Sequence, residues 1–133
     1  MRNFDFLGDD GLVDALLVEI AGLLQTLITD GQPGSIDLTG LPLSPGCLDA
    51  LRRRLGTGEV SAVLTAAGTS EISETAFPGV WWCRHADETG RVAALLIEVA
   101  FVPLILCADV EDMRSGHRRL LEAAGLRWRR KSA

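Results

Sequence analysis

Cys83 and His85 stand two residues apart in Val80-Trp81-Trp82-Cys83-Arg84-His85, a run rich in the residue types that favour a strand. Side chains at that spacing leave a strand on the same side, so a thiol and an imidazole could hold one metal ion or one cluster iron. Completing such a site needs further ligands, for which the chain offers Cys47, Cys107, His117 and carboxylates. A small buried thiol beside a surface histidine is the plainer reading. Cys83 and His85 are therefore weak metal candidates, and no resident cofactor is expected.

Glu98 raises a different question, because Leu95, Leu96, Ile97, Val99 and Phe101 enclose it. A carboxylate in an apolar strand must be paired, protonated or placed at an edge, and Arg84 on the neighbouring strand, or Arg91, is the expected partner. Glu71 and Glu74 fall on opposite faces of their strand. None of these carboxylates has a poised second group beside it, so they suit structure or recognition better than acid–base chemistry. Neither His85 nor His117 has a Ser or Cys partner with a third orienting group, no GxSxG elbow occurs, and no Gly-rich phosphate loop opens a helix. Gly56-Thr57-Gly58 reads as a helix-end turn. The chain is not expected to be an enzyme.

Trp81 and Trp82 are adjacent, so they cannot both enter one core. One indole is expected inside and the other at a surface, where it would serve to hold a partner.

These residues need a sheet to position them. From Glu59 the apolar period is two, and strands are expected over Val60–Ala66, Ser70–Ala76, Val80–His85 and Arg91–Phe101. Their links are short, at Gly68, at Phe77-Pro78-Gly79 and at Asp87–Gly90, which makes neighbours antiparallel. Ahead of them Leu12, Val13, Leu16, Leu17, Ile20, Leu23, Leu24, Leu27 and Ile28 recur at helical spacing. Asp9 or Asp10 is expected to cap that helix and Gly31 to end it. Pro33–Leu38 reads as a loop entering a short extended piece. Ser44 and Pro45 open a second, short helix that runs to Gly56, and Asp109 opens a last helix that Gly125 stops. The order implies an α+β domain, an antiparallel sheet of about four strands with the helices packed on one face.

With 133 residues, 47% of them hydrophobic, the chain suits one domain over 1–126, followed by a basic tail at 127–133. A formal charge of -5 argues against nucleic-acid and anionic-membrane partners. The tail Arg127-Trp128-Arg129-Arg130-Lys131 is expected to be a solvated end. Three widely spaced cysteines form no disulfide framework, and the start of the chain lacks a signal-peptide pattern, so a cytoplasmic location is expected. Glu98 and Pro103 interrupt the apolar run from Val92 to Cys107, which is too short to cross a bilayer.

Several pieces, in order, carry a family resemblance: Leu16-Leu17-Val18-Glu19-Ile20, Ile36-Asp37-Leu38, Leu41-Pro42-Leu43, Leu55-Gly56-Thr57-Gly58-Glu59-Val60-Ser61, Ile72-Ser73-Glu74-Thr75, Phe77-Pro78-Gly79-Val80-Trp81-Trp82, and Ile97-Glu98-Val99 with Val102-Pro103. Together they resemble the C-terminal conserved region of hydrogenase expression/formation proteins of the HupH and HyaF type, whose members are commonly about twice this length. Ala100-Phe101 departs from relatives that more often carry polar or acidic residues there. The resemblance implies an accessory protein without enzymatic activity that acts on the iron-sulfur small subunit of a nickel-iron hydrogenase before export, alongside a thioredoxin-like companion. On that basis Glu59, Glu74, Trp81, Trp82 and Glu98 are the expected partner-binding residues. A homodimer, or a heterodimer in the cell, is also expected, through a sheet edge or through Phe101–Leu106.

Overall fold

The computed structural model describes residues 8–126, and the tail from Arg127 to Lys131 lies outside them. The chain forms two compact units, one ending at Pro103 and the other beginning at Leu104.

The first unit opens with helix α1, Gly8–Asp30. The described part of the helix already includes Asp9 and Asp10, and its start lies at the edge of the described residues. Its end is as expected: Gly31 has φ 72° and donates its N–H to the Leu27 carbonyl at 2.9 Å. By length and composition α1 could cross a membrane. Its buried residues Val13, Leu16, Ile20 and Leu27, however, recur at helical spacing and belong to the core of this unit.

Helix α2, Pro45–Leu55, starts where Ser44 Oγ accepts the Cys47 N–H at 3.0 Å, with Pro45 at the first helical position, and ends at Gly56 with φ 70°. Cys47, Leu51 and Leu55 form its buried stripe.

Five strands build one antiparallel sheet: β1 (Gly34–Asp37), β2 (Ser61–Ala66), β3 (Gly68–Glu74), β4 (Val80–Ala86) and β5 (Val92–Val99), in the order β1-β5-β4-β3-β2. The four expected strands form a continuous meander. The fifth is β1, the short extended piece, which pairs with β5 from Gly34↔Val99 to Asp37↔Leu96. β5 ends at Val99, four residues ahead of Pro103, because its last partner on β4 is Val80.

Glycines and turn residues set the hairpins. At Phe77-Pro78-Gly79-Val80, Gly79 has φ 88° and the Val80 N–H bonds the Phe77 carbonyl at 3.0 Å, the arrangement of a type II turn with proline second and glycine third. Buried Thr75 braces it, its hydroxyl accepting the Phe77 N–H at 3.1 Å and donating to the Phe77 carbonyl at 3.2 Å. In the β4–β5 turn, Asp87 Oδ1 accepts from the Thr89 hydroxyl and from the N–H groups of Thr89 and Arg91. The Thr89 hydroxyl is the main reason that this carboxyl sits below its ordinary range.

The register gives the sheet two distinct faces. Val80 and Trp82 of β4, Leu95, Ile97 and Val99 of β5, and Ile36 of β1 face α1 and α2 and form the main core with them. Trp81, Cys83 and His85 point the other way, as do Glu74 and Ile72 of β3 and Leu96 and Glu98 of β5. Both expected helices of this unit therefore do pack on one face of the sheet.

The second unit holds a 3-10 turn, Leu104–Leu106, and helix α3, Val110–Ala123. Asp109 caps α3 by accepting the N–H groups of Glu111 and Asp112, and Gly125 follows its end with φ 77°. None of the residues of α3 is buried.

Candidate functional site

Three of the five expected binding residues form one row across the sheet. Glu74 of β3 is opposite Trp81 of β4, and Trp81 is opposite Glu98 of β5, all on the face away from α1 and α2. The backbone of Glu59 meets this row at its β3 end, where the Glu59 N–H donates to Glu74 Oε1 at 3.2 Å. The chain must run close there: the Glu74 N–H reaches the Val60 carbonyl and the Gly58 N–H reaches the Glu74 carbonyl, both at 2.8 Å. A Cβ on Gly58 would come within 2.5 Å of the Thr75 carbonyl oxygen, so only glycine fits. Glu74 and Glu98 are half-buried and Glu59 is exposed.

The two indoles leave the sheet on opposite sides, one buried and the other half-buried. Trp81 is 6% exposed, and its Nε1–H donates to the Ala100 carbonyl at 3.0 Å. That bond satisfies the polar edge of a buried ring, which makes Trp81 a packed, structural member of the row rather than a projecting anchor. Trp82 lies on the other face, half-buried against the main core, with the Arg52 guanidinium 5.1 Å from its ring centroid. The row therefore excludes Trp82. Arg52 comes from a run of three arginines whose members do different work: Arg52 covers the indole, and Arg54 pairs with Asp14 at 3.2 Å in a solvent-exposed bridge worth little.

Arg84 is not the partner of Glu98, because the two leave the sheet on opposite sides. Arg84 instead reaches Glu71 across β3 at 3.9 Å, and Arg91 sits in the turn at the far end of β5 from Glu98.

Cys83 and His85 do share a face, as their spacing required. His85 Nδ1 lies 2.7 Å from Ser70 Oγ, its cross-strand partner. Cys83 is buried, and burial, with the Glu98 carboxylate adding to it, pushes the thiol up to about 12. A thiol that keeps its proton at neutral pH is a poor ligand and a poor nucleophile. Among the described residues no three potential ligands from His, Cys, Asp and Glu come together. In the folded chain, iodoacetamide at pH 8 is expected to modify exposed Cys107 within minutes and to leave Cys47 and Cys83 unmodified until denaturant is added, as read by mass spectrometry. The same shift gives a pH dependence. Unfolded Cys83 ionises near 9.0 while the folded thiol holds its proton to about 12, so its contribution to stability is whole below pH 9 and is lost as pH climbs between these values.

One feature gave no advance signal of its role. Leu17, Ile20, Ala21 and Leu24 of α1, Leu55 of α2, and Phe77 and Val80 line an apolar pocket of about 280 Å³ with Arg54 at its side. The Phe-Pro-Gly segment looks only like a hairpin link in sequence, yet it carries the Phe77 ring to the edge of this pocket.

The comparisons agree with one another. A family model described as "HupH hydrogenase expression protein, C-terminal conserved region" matches residues 13–126. The chain is similar to the hydrogenase expression/formation protein HoxQ of Azotobacter vinelandii, at 32% identity over 117 residues, covering 85% of this chain and 41% of that protein. HoxQ of Cupriavidus necator is 31% identical over 121 residues, covering 90% of this chain and 42% of its own length. The chain thus spans about two fifths of these relatives. A solved structure of the hydrogenase expression protein HupH from Thiobacillus denitrificans superposes with a TM-score of 0.82 at 45% identity, over 87% of this chain and 98% of that one.

Proposed function

This chain belongs to the family of HupH hydrogenase expression proteins, and on that premise we propose that it is a cytoplasmic accessory factor in hydrogenase maturation that binds the iron-sulfur small-subunit precursor and catalyses nothing itself. The carrying observation is the family match across nearly all of the described chain. The site is consistent with binding rather than reaction: carboxylates flank a buried indole on one sheet face, the thiol on that face is protonated, and its histidine is bonded to a serine.

The binding surface in this proposal is the row formed by Glu59, Glu74 and Glu98 around Trp81. Trp81 lies between Glu74 and Glu98 and sets their spacing, and the carboxylates attract basic side chains of the precursor. A thioredoxin-like hydrogenase chaperone is the proposed companion. Charge at such a surface acts mainly on encounter and register, so binding is expected to weaken as salt is raised.

Capture of the purified precursor by the doubly neutralised variant Glu59→Gln/Glu98→Gln tests the surface. Affinity is expected to fall about tenfold, equivalent to about 1.4 kcal/mol, while Glu19→Gln, an exposed carboxylate on α1, leaves it unchanged. Equal losses from both variants would reduce the effect to net charge and remove the row from the surface.

A further inference from the structure

The two edges of the sheet are not alike. β1 has only four residues, follows Pro33, and ends at the charged Asp37, whose carboxylate is occupied by the Thr39 N–H and hydroxyl. Short strands, proline and charge are the usual protections of an edge. β2 has none of them. It has six residues, and from Val60 through Ser70 the sequence carries no charged side chain and no proline.

The hydrogen-bond register identifies which groups of β2 remain available. Glu74 turns both of its groups towards the segment ahead of β2, its N–H bonding the Val60 carbonyl and its carbonyl accepting the Gly58 N–H, so the hydrogen-bonded pairs of this ladder fall on the even-numbered residues of β3. Such pairs alternate along an antiparallel ladder, so Ala62↔Ile72 and Leu64↔Ser70 are bonded as well. The N–H and carbonyl groups of Ser61, Val63 and Thr65 then point away from β3, and among the described residues no strand lies beyond β2 in the sheet. All three residues are exposed, Val63 at 68% despite its apolar side chain.

We propose that β2 pairs antiparallel with β2 of a second copy of this chain about a two-fold axis at Val63. The strand is self-complementary in that register. Val63 meets Val63 of the second copy, Ser61 meets its Thr65, and Ala62 meets its Leu64. About six backbone hydrogen bonds form, two for each outward-facing pair. No charged residue faces a like charge within the paired strands, which matters in a chain with a formal charge of -5. A second copy is favoured over a charged peptide because the stretch offers no charge to select one. The pairing makes an isologous interface, closes the vulnerable edge and joins the two sheets into one. Strand pairing alone buries less than the roughly 1,000 Å² of a firm interface, so the dimer is concentration dependent.

Light scattering from the micromolar to the millimolar range tests the proposal. The expected mass rises with concentration from the 14.3 kDa of one chain towards twice that value. Val63→Lys places two ammonium groups opposite each other and is expected to hold the mass at one chain throughout, with an unchanged melting curve because Val63 is exposed. Mixing Val63→Lys with Val63→Glu is expected to restore the doubled mass, an outcome that requires both variants to be folded. Thr65→Pro offers a second route, since it removes an N–H that points away from β3. Wild-type protein that stays at one chain at every concentration overturns the proposal, including the case where that monomer instead captures an extended partner peptide. A doubled mass that survives both Val63→Lys and Thr65→Pro overturns it equally, because the copies then meet elsewhere.

Discussion

Trp81→Ala is expected to lower the unfolding free energy by about 3–5 kcal/mol, the range for truncating a large buried aromatic side chain. The ring is buried and its Nε1–H is bonded to the Ala100 carbonyl, so the substitution opens a cavity and leaves a carbonyl without its donor. A domain of ordinary stability has only about 5–15 kcal/mol in total, which leaves this variant close to unfolding at moderate temperature. Trp81→Phe keeps most of the ring and loses the hydrogen bond, and should cost about 1–2 kcal/mol beyond its small volume change. Urea denaturation followed by circular dichroism measures both. A Trp81→Ala chain as stable as wild type but unable to bind precursor would identify Trp81 as an anchor after all, and the assignment of a supporting role would fall.

The second large effect is expected at Gly68. It has φ 122°, in the region that side chains with a Cβ rarely enter, and an added Cβ would stand 2.2 Å from the Ala86 carbonyl oxygen and 3.1 Å from the Asp87 backbone. Strain of this kind costs about 1–3 kcal/mol by itself. The contact adds to it, because the opposing atoms belong to backbone and cannot swing aside. Gly68→Ala should therefore destabilise by about 3 kcal/mol. Gly90→Ala provides the comparison: Gly90 has φ 85° with nothing within 4 Å of its Cβ position, so it bears strain alone. Similar losses at both sites in urea melts would show that the close approach to β4 contributes nothing.

Most of the architecture was legible in the sequence because local signals and tertiary packing agree. Ser44 and Pro45 begin α2 and Gly56 ends it, Asp109 caps α3, and the two-residue period of the four long strands survives in the meander. What local signals could not show was anything decided by partners far apart in sequence. The segment Gly34-Ser35-Ile36-Asp37 becomes a strand only because β5 supplies its hydrogen bonds. The adjacent tryptophans had to face opposite ways, yet the covering of both rings depends on Ala100 for one and on Arg52 and the helical core for the other. The partner expected for Glu98 failed for a related reason: strand assignment places Arg84 on the neighbour of β5, but only the register reveals that the two side chains leave on opposite faces. Spatial strand order makes β2 an edge, and no feature of its own sequence announces that.

The central claim is that this chain binds a hydrogenase small-subunit precursor without chemically altering it. Isothermal titration of the purified full chain with purified precursor, followed by intact-mass analysis of both proteins, tests it most directly. The account predicts saturable binding that weakens from 50 to 300 mM salt, with the masses of both proteins unchanged. No binding heat at low salt with folded proteins, or a covalent change in the precursor, would contradict it.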